Sequence, residues 1–91
     1  MSFTHKEYHT ALDHLPRTFN SYDFIRRLTQ LYQQRYIEFL GQYPQSPSPF
    51  RAVHSQIMLW LIRSKTVKKI GYTNDRDIFG DPETVPLWEK L

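Results

Sequence analysis

The sequence predicts a mainly helical α+β domain in which three helices are followed by a small C-terminal β-hairpin. Two capping-box signals and long runs of apolar residues at three- and four-residue spacing indicate helices between residues 4 and 64. After Ser64 the apolar period changes from 3.6 to 2, which is typical of strands. Because 91 residues suffice for one hydrophobic core but not for two, we expect a single domain over residues 1–91.

The first helix is predicted over residues 4–15. Thr4 and Glu7 form a capping box, in which each side chain satisfies a free backbone N–H of the other residue. Pro16 ends the helix, because the residue before a proline avoids the α region.

A second and longer helix is predicted over residues 20–42. Asn20 is the expected N-cap, and Asp23 completes a second capping box. Apolar side chains then keep helical spacing for about six turns until Gly41 and Pro44 mark the end. We expect a helix of this length to be the central packing element of so small a domain.

The third helix is predicted over residues 48–64, with Ser48 as its N-cap and Pro49 at its first position. The remaining residues, 66–91, are predicted to form the hairpin, or wing, of two strands. The returning strand contains Pro86, which has no N–H to donate and therefore favours an edge position in the sheet.

Charge is distributed unevenly along the chain. Residues 1–72 contain ten Lys and Arg against four Asp and Glu, a balance of +6, whereas residues 73–91 have a balance of −3. A basic body with an acidic C-terminal edge suits an anionic partner on one face, and it equally suits two copies that meet head to tail.

The composition also bears on location. The sequence contains no cysteine, which excludes disulfides and thiolate metal sites and makes a cytoplasmic setting the expectation. The longest strictly apolar run, residues 57–62, is too short to span a bilayer, so we expect no membrane partner.

Two motifs resemble metal sites only in part. His5 and His9 have a spacing that suits zinc, but Lys6 follows the first histidine where a zincin motif has glutamate. A segment that starts at Asp75 resembles a calcium loop, but Phe79 and Pro86 occupy positions that require oxygen ligands. We therefore expect neither a metal nor another cofactor.

Catalytic signatures are also missing, since the three glycines are far apart and no nucleophile elbow occurs. We expect no enzymatic activity and no small-molecule substrate. A small hydrolase that uses the carboxylates of the acidic Asp75–Asp81 loop stays a third alternative, which predicts a concave pocket with raised carboxylate pKa values.

The best functional signal is a group of basic and polar residues at the third helix and the strand that follows it. These residues are Arg51, His54, Ser55, Arg63, Lys65, Lys68 and Lys69. Two explanations stay open. The cations bind an anionic partner, or they are solvated charges that neutralise the helix C-terminus and protect a sheet edge from pairing.

The order of helices, a strand, a loop and a returning strand resembles the winged-helix domain, a variant of the helix-turn-helix. The resemblance covers about residues 20–91. Residues 50–57 with Leu61 and Ile62 are similar to the last helix of that family, residues 67–71 to its first wing strand, and Leu87 and Trp88 to its closing strand.

The resemblance implies a last helix that enters the major groove of DNA. Arg51, His54 and Ser55 would then lie near base edges. The phosphate backbone would be contacted by four cations, which are Arg63, Lys65, Lys68 and Lys69.

We therefore expect a small non-enzymatic binding module, with DNA as the first candidate partner. The alternative is a protein-interaction or assembly module, including a homodimer, that uses the aromatic face and the acidic loop. The alternative is favoured by Asp75, Asp77 and Asp81, because an acidic wing would repel phosphate.

Overall fold

The computed structural model describes residues 2–91 as four helices and one three-stranded antiparallel sheet. The helices are α1 (His5–Asp13), α2 (Ser21–Leu31), α3 (Gln33–Leu40) and α4 (Pro49–Arg63). The strands are β1 (Thr18–Asn20), β2 (Val67–Arg76) and β3 (Pro82–Lys90), in the sheet order β1-β3-β2. The predicted fold class of three helices and a two-stranded, winged-helix-like hairpin is therefore wrong in both the number of helices and the number of strands.

The predicted helix over residues 20–42 is in fact two helices, because the backbone leaves the helical region at Tyr32 (φ −126°, ψ 57°). An unbroken helix of this length would measure about 35 Å, close to the longest dimension of the molecule, 36 Å. The break allows Phe39 of α3 to pack against Phe3, with ring centroids 5.8 Å apart, and Tyr36 to pack against α4.

The strand that the prediction omits is β1, which lies between α1 and α2. It has only three residues and pairs with β3, with Phe19 opposite Trp88. The predicted cap at its end is confirmed, since Asn20 Oδ1 accepts the Asp23 amide at 2.9 Å and Asp23 Oδ2 accepts the Asn20 amide at 3.0 Å. Three residues are too few to produce a recognisable alternation of apolar and polar positions.

Pro86 does not place its strand at the sheet edge as predicted, because β3 is the central strand. The proline lies opposite Tyr72 of β2, and β1 pairs with β3 only from Leu87 to Glu89. The missing N–H of Pro86 therefore falls where β3 has no neighbour on the β1 side, and it costs no bond to that strand.

The bounds of the other two predicted helices differ from the structure by no more than two residues. The capping box of α1 is confirmed, with the Thr4 amide 2.8 Å from Glu7 Oε1 and the Glu7 amide 3.2 Å from Thr4 Oγ1. Pro49 is the first residue of α4 as predicted, but the Ser48 side chain makes no capping bond to the described part of α4.

The core is aromatic and aliphatic, and it joins every helix to the sheet. Tyr8, Phe24 and Trp60 pack with nearly parallel rings whose centroids lie 4.5 to 6.1 Å apart. In the same core the buried Trp88 Nε1 donates a hydrogen bond to Ser21 Oγ at 2.9 Å. Within residues 2–91, no helix has both the length and the apolar character needed to cross a membrane.

Candidate functional site

One face of α4 carries much of the predicted site. Val53, Ile57 and Leu61 are fully buried and face the core, which turns the opposite side of the helix to solvent. The charged and polar residues on the exposed side, with the lysine that follows the helix, form what we name the α4 surface: Arg51, Ser55, Gln56, Arg63 and Lys65. Gln56 was not among the predicted residues, although its spacing from Arg63 on the helix indicates a shared face.

The cations of the α4 surface are not used inside the protein. Arg51, Arg63 and Lys65 are exposed, and none of them forms an ion pair or hydrogen bond with another residue in the described range 2–91. Arg51 lies beside carboxylates of the hairpin tip, so Arg63 and Lys65 are the two side chains most available to an external anion.

Lys68 and Lys69, by contrast, contact other residues of the sheet. Lys68 Nζ lies 3.5 Å from Glu89 Oε1 on the neighbouring strand. Lys69 Nζ donates to the Tyr72 hydroxyl at 3.0 Å and lies 5.0 Å from the centre of its ring. Lys69 and Tyr72 meet because a β-bulge at Ile70 shifts the register of β2 against β3. Such exposed pairs contribute only about 0–1 kcal/mol, so these lysines are secondary members of the site.

His54, predicted near base edges, points into the protein instead. It is 9% exposed, and its Nε2 lies 2.7 Å from the Tyr36 hydroxyl, with the two rings stacked. Burial lowers the pKa of the His54 imidazole and raises the pKa of Tyr36 to about 12. His54 is therefore neutral at pH 7 and fixes α4 against α3 rather than adding charge to the α4 surface.

Two carboxylates of the acidic hairpin are bound by other residues. Asp75 accepts two hydrogen bonds from the Arg26 guanidinium and one from Asn20, each at 2.9 Å. The bonds from Arg26 above all hold the pKa of Asp75 well below its ordinary value. Glu83 accepts a hydrogen bond from Tyr22, and burial together with this bond raises the pKa of the Tyr22 phenol.

Asp77 shapes the turn at the tip of the hairpin. Its Oδ1 accepts the amide of Phe79 at 2.8 Å and the amide of Asp81 at 3.0 Å. A hydrolase built on the Asp75–Asp81 loop requires a carboxylate with a raised pKa. The pKa of Asp75 is shifted in the opposite direction.

Two grooves flank α4, and they differ in charge. The basic groove lies between α1 and the C-terminal half of α4, with a volume of about 490 Å³. Its charged and ring-bearing lining consists of His5, Tyr8, His9, Trp60, Arg63 and Lys65. His5 Nδ1 accepts a hydrogen bond from Trp60 Nε1 at 3.1 Å. The part of the chain that the structure describes contains no group of three residues able to hold a metal ion.

The acidic groove lies on the other side of α4, against the tip of the hairpin, with a volume of about 370 Å³. Asp77, Asp81 and Glu83 line it together with Arg51. Arg51 and Ser55 of the α4 surface therefore line the groove with the carboxylates, whereas Gln56, Arg63 and Lys65 line the groove with the imidazoles.

Several large apolar side chains are exposed near α4 and along the hairpin. Phe79 at the hairpin tip is 69% exposed and Ile62 on α4 is 65% exposed. Ile70, Tyr72 and Ile78 of the hairpin are exposed as well. Exposed apolar residues of this kind occur at protein interfaces.

Comparisons with known proteins leave the chain without an assigned family, since no protein-family model, no curated protein and no solved structure matches it. The geometry of α4 and its two grooves is therefore the basis for inferring function.

Proposed function

We propose that the chain is a small non-enzymatic module that binds duplex DNA through the α4 surface. The observation that carries this proposal is a set of exposed cations that form no internal ion pair: Arg51 and Arg63 on α4, and Lys65 two residues after its end. Ser55 and Gln56 lie between them in the sequence and are exposed as well. Positive charge with interspersed polar side chains on a helix is the pattern of groove-binding elements.

The division of roles follows from the chemistry of these side chains. Arginine binds guanine O6 and N7 with two hydrogen bonds, and glutamine binds adenine N6 and N7 in the same way. Arg51 and Gln56 are therefore the candidates for reading base edges. Arg63 and Lys65, at the end of the helix, are the candidates for phosphate contacts, and Lys68 and Lys69 extend that row.

In the structure α4 runs directly into the β2–β3 hairpin, which places Lys68 and Lys69 within six residues of the end of the helix. The hairpin should repel the DNA phosphates less strongly than its number of carboxylates suggests, because some of these carboxylates are paired with cations. Asp75 is neutralised by Arg26, and Glu89 lies near both Arg17 and Lys68. The absence of cysteine supports a cytoplasmic setting for this activity.

Binding of a fluorescently labelled duplex of mixed sequence, followed by anisotropy at low ionic strength, tests the proposal. Arg63→Glu combined with Lys65→Glu should weaken binding about a hundredfold, because two charge-assisted contacts are lost. The matched control, Arg17→Glu with Arg27→Glu, changes the net charge equally away from α4 and should alter the affinity only a few-fold. Circular dichroism confirms that both variants are folded.

Two results would contradict the proposal. One is an unchanged affinity in the Arg63 and Lys65 variant. The other is an equal loss in both variants, since that would show attraction by net charge without a defined surface.

A protein-interaction or assembly module is the second candidate, favoured by exposed Ile62, Tyr72 and Phe79. It predicts no duplex binding at low salt and self-association or partner binding that Ile62→Ser and Phe79→Ser reduce. Sedimentation at several protein concentrations measures the self-association.

A further inference from the structure

We propose that the basic groove is a binding site for a phosphate group, carried by a small phosphomonoester or present as inorganic phosphate. The site depends on the lining of the groove and not on DNA binding, although Arg63 and Lys65 belong to both surfaces. The nearest alternative for its histidines, a zinc site, lacks a third ligand among residues 2–91.

The first observation is that the groove offers positive charge and hydrogen-bond donors without a competing carboxylate. Arg63 and Lys65 supply two full charges, and His5 and His9 supply imidazole rings. No Asp or Glu lines this groove within the described range of the chain, whereas three line the acidic groove. A phosphate binds most strongly where charged donors converge on it, since such hydrogen bonds are about twice as strong as neutral ones.

The second observation is that the histidines are held in place by the aromatic floor of the groove. The Trp60 indole can only donate, so its 3.1 Å bond to His5 Nδ1 leaves the His5 proton on Nε2. His9 packs edge-on against Trp60, with ring centroids 5.2 Å apart. Tyr8 stacks on Trp60 at 4.5 Å. The two imidazoles are therefore already ordered before a ligand arrives, which reduces the entropic cost of binding.

The third observation concerns the helix ends beside the groove. The C-terminus of α4 carries about half a negative charge, which by itself disfavours an anion. Arg63 and Lys65 outweigh it with two full positive charges. His5 is the first residue of α1, but the Thr4 and Glu7 side chains already cap the positive end of that helix, so the attraction for an anion comes from the two cations. The Ser64 and Thr66 hydroxyls are hydrogen-bonded to each other at 2.8 Å, which leaves one of their two protons free to donate to a ligand.

The size of the groove indicates what else the ligand carries. A volume of about 490 Å³ exceeds the space that a phosphate alone requires and falls in the range of small-molecule sites. The phosphate is therefore expected to be attached to an organic group. This group is either a small molecule or the terminal nucleotide of a DNA strand.

Titration with inorganic phosphate, followed by the imidazole and indole NMR signals at constant pH and ionic strength, tests the site. Saturable shifts are expected at His5, His9 and the Trp60 Nε1–H. The signals of His54 and the Trp88 Nε1–H serve as internal controls, because these side chains are buried outside the groove and should not shift.

Variants and a second probe sharpen the result. Arg63→Gln with Lys65→Gln should weaken phosphate binding at least about tenfold, and Arg17→Gln with Arg27→Gln should leave it unchanged.

A short single-stranded oligonucleotide with a 5′-phosphate is compared with the same oligonucleotide bearing a 5′-hydroxyl. Tighter binding of the 5′-phosphorylated strand than of the 5′-hydroxyl strand identifies a DNA end as the source. Equal binding of the two strands, with saturable binding of inorganic phosphate, identifies a small ligand.

The inference is overturned if neither inorganic phosphate nor the phosphorylated strand produces saturable shifts at His5, His9 and Trp60, even where duplex DNA binds. It is also overturned if both pairs of variants lose binding equally. Phosphate binding without duplex binding would contradict only the proposed DNA function.

Discussion

Arg26 and Asp75 form the most extensive polar contact between the helices and the hairpin. The guanidinium donates to both oxygens of the carboxylate and also to the Arg76 carbonyl at 2.7 Å. The Asp75 side chain is 22% exposed, and Asn20 provides a third donor. Paired and multiply bonded in this way, the carboxylate strengthens the attachment of β2 to α2.

Asp75→Asn should lower the free energy of unfolding at neutral pH by about 1–2 kcal/mol, because it removes the charge from a bidentate contact. The folded protein holds the pKa of Asp75 below its unfolded value of about 4. The stabilisation is therefore complete above that pH and is lost as the pH falls through the folded pKa.

Urea unfolding of the wild type and Asp75→Asn across a pH series checks this prediction. The difference between the two proteins should shrink below about pH 4. Asp13→Asn is the control, because Asp13 is exposed and makes no ion pair with another residue of the described range. A difference that persists unchanged in strong acid would contradict the assigned contact.

His54 is a predicted site residue whose side chain the structure buries. It lies four residues after Phe50 and three before Ile57, a spacing that places it on the inward side of the helix. Grouping it with Arg51 and Ser55 by polarity overlooked that spacing. The contact of Lys69 with Tyr72 could not be predicted from the sequence, because it depends on a β-bulge that no local sequence signal marks.

At the scale of elements, one hydrogen bond joins the start of α2 to the central strand. Ser21 is the first residue of α2 and fully buried, and its Oγ accepts the Trp88 indole N–H of β3. Ser21→Ala leaves that buried donor without a partner. The cost of an unsatisfied buried donor is about 1–3 kcal/mol, so the free energy of unfolding should fall by this amount.

Chemical denaturation measures the effect of Ser21→Ala, with Ser55→Ala on the exposed side of α4 as the control, expected within about 0.5 kcal/mol of wild type. Equal stability of Ser21→Ala and wild type would show that the indole finds another partner and that this bond does not connect the elements.

The elements that could be predicted are those whose signals are local. Both capping boxes, at Thr4 and Asn20, involve residues three apart and were predicted correctly. The break at Tyr32 was not, because the apolar positions of α2 and α3 stay in phase across it and neither glycine nor proline marks it. The break depends on the packing of α3 on α4. The formation of β1 depends on its pairing with β3, a strand about 70 residues away in the sequence.

At the scale of the whole molecule, the charge asymmetry of the sequence becomes a difference between the two sides of α4. The acidic residues Asp77, Asp81 and Glu83 gather in one groove, and Arg63 and Lys65 lie at the other. A polyanion approaching α4 is therefore expected to be drawn towards its C-terminal half. Net charge alone did not reveal this division, because several carboxylates of the hairpin are bound internally.

The central claim is that the α4 surface binds the DNA backbone, and the salt dependence of duplex affinity tests it most directly. Each neutralised phosphate contributes about −0.9 to the slope of log affinity against log salt concentration. Contacts by Arg63 and Lys65, with or without Lys68 and Lys69, therefore predict a slope of about −2 to −4. Binding that does not change with salt, or no binding even at low salt, would contradict the claim.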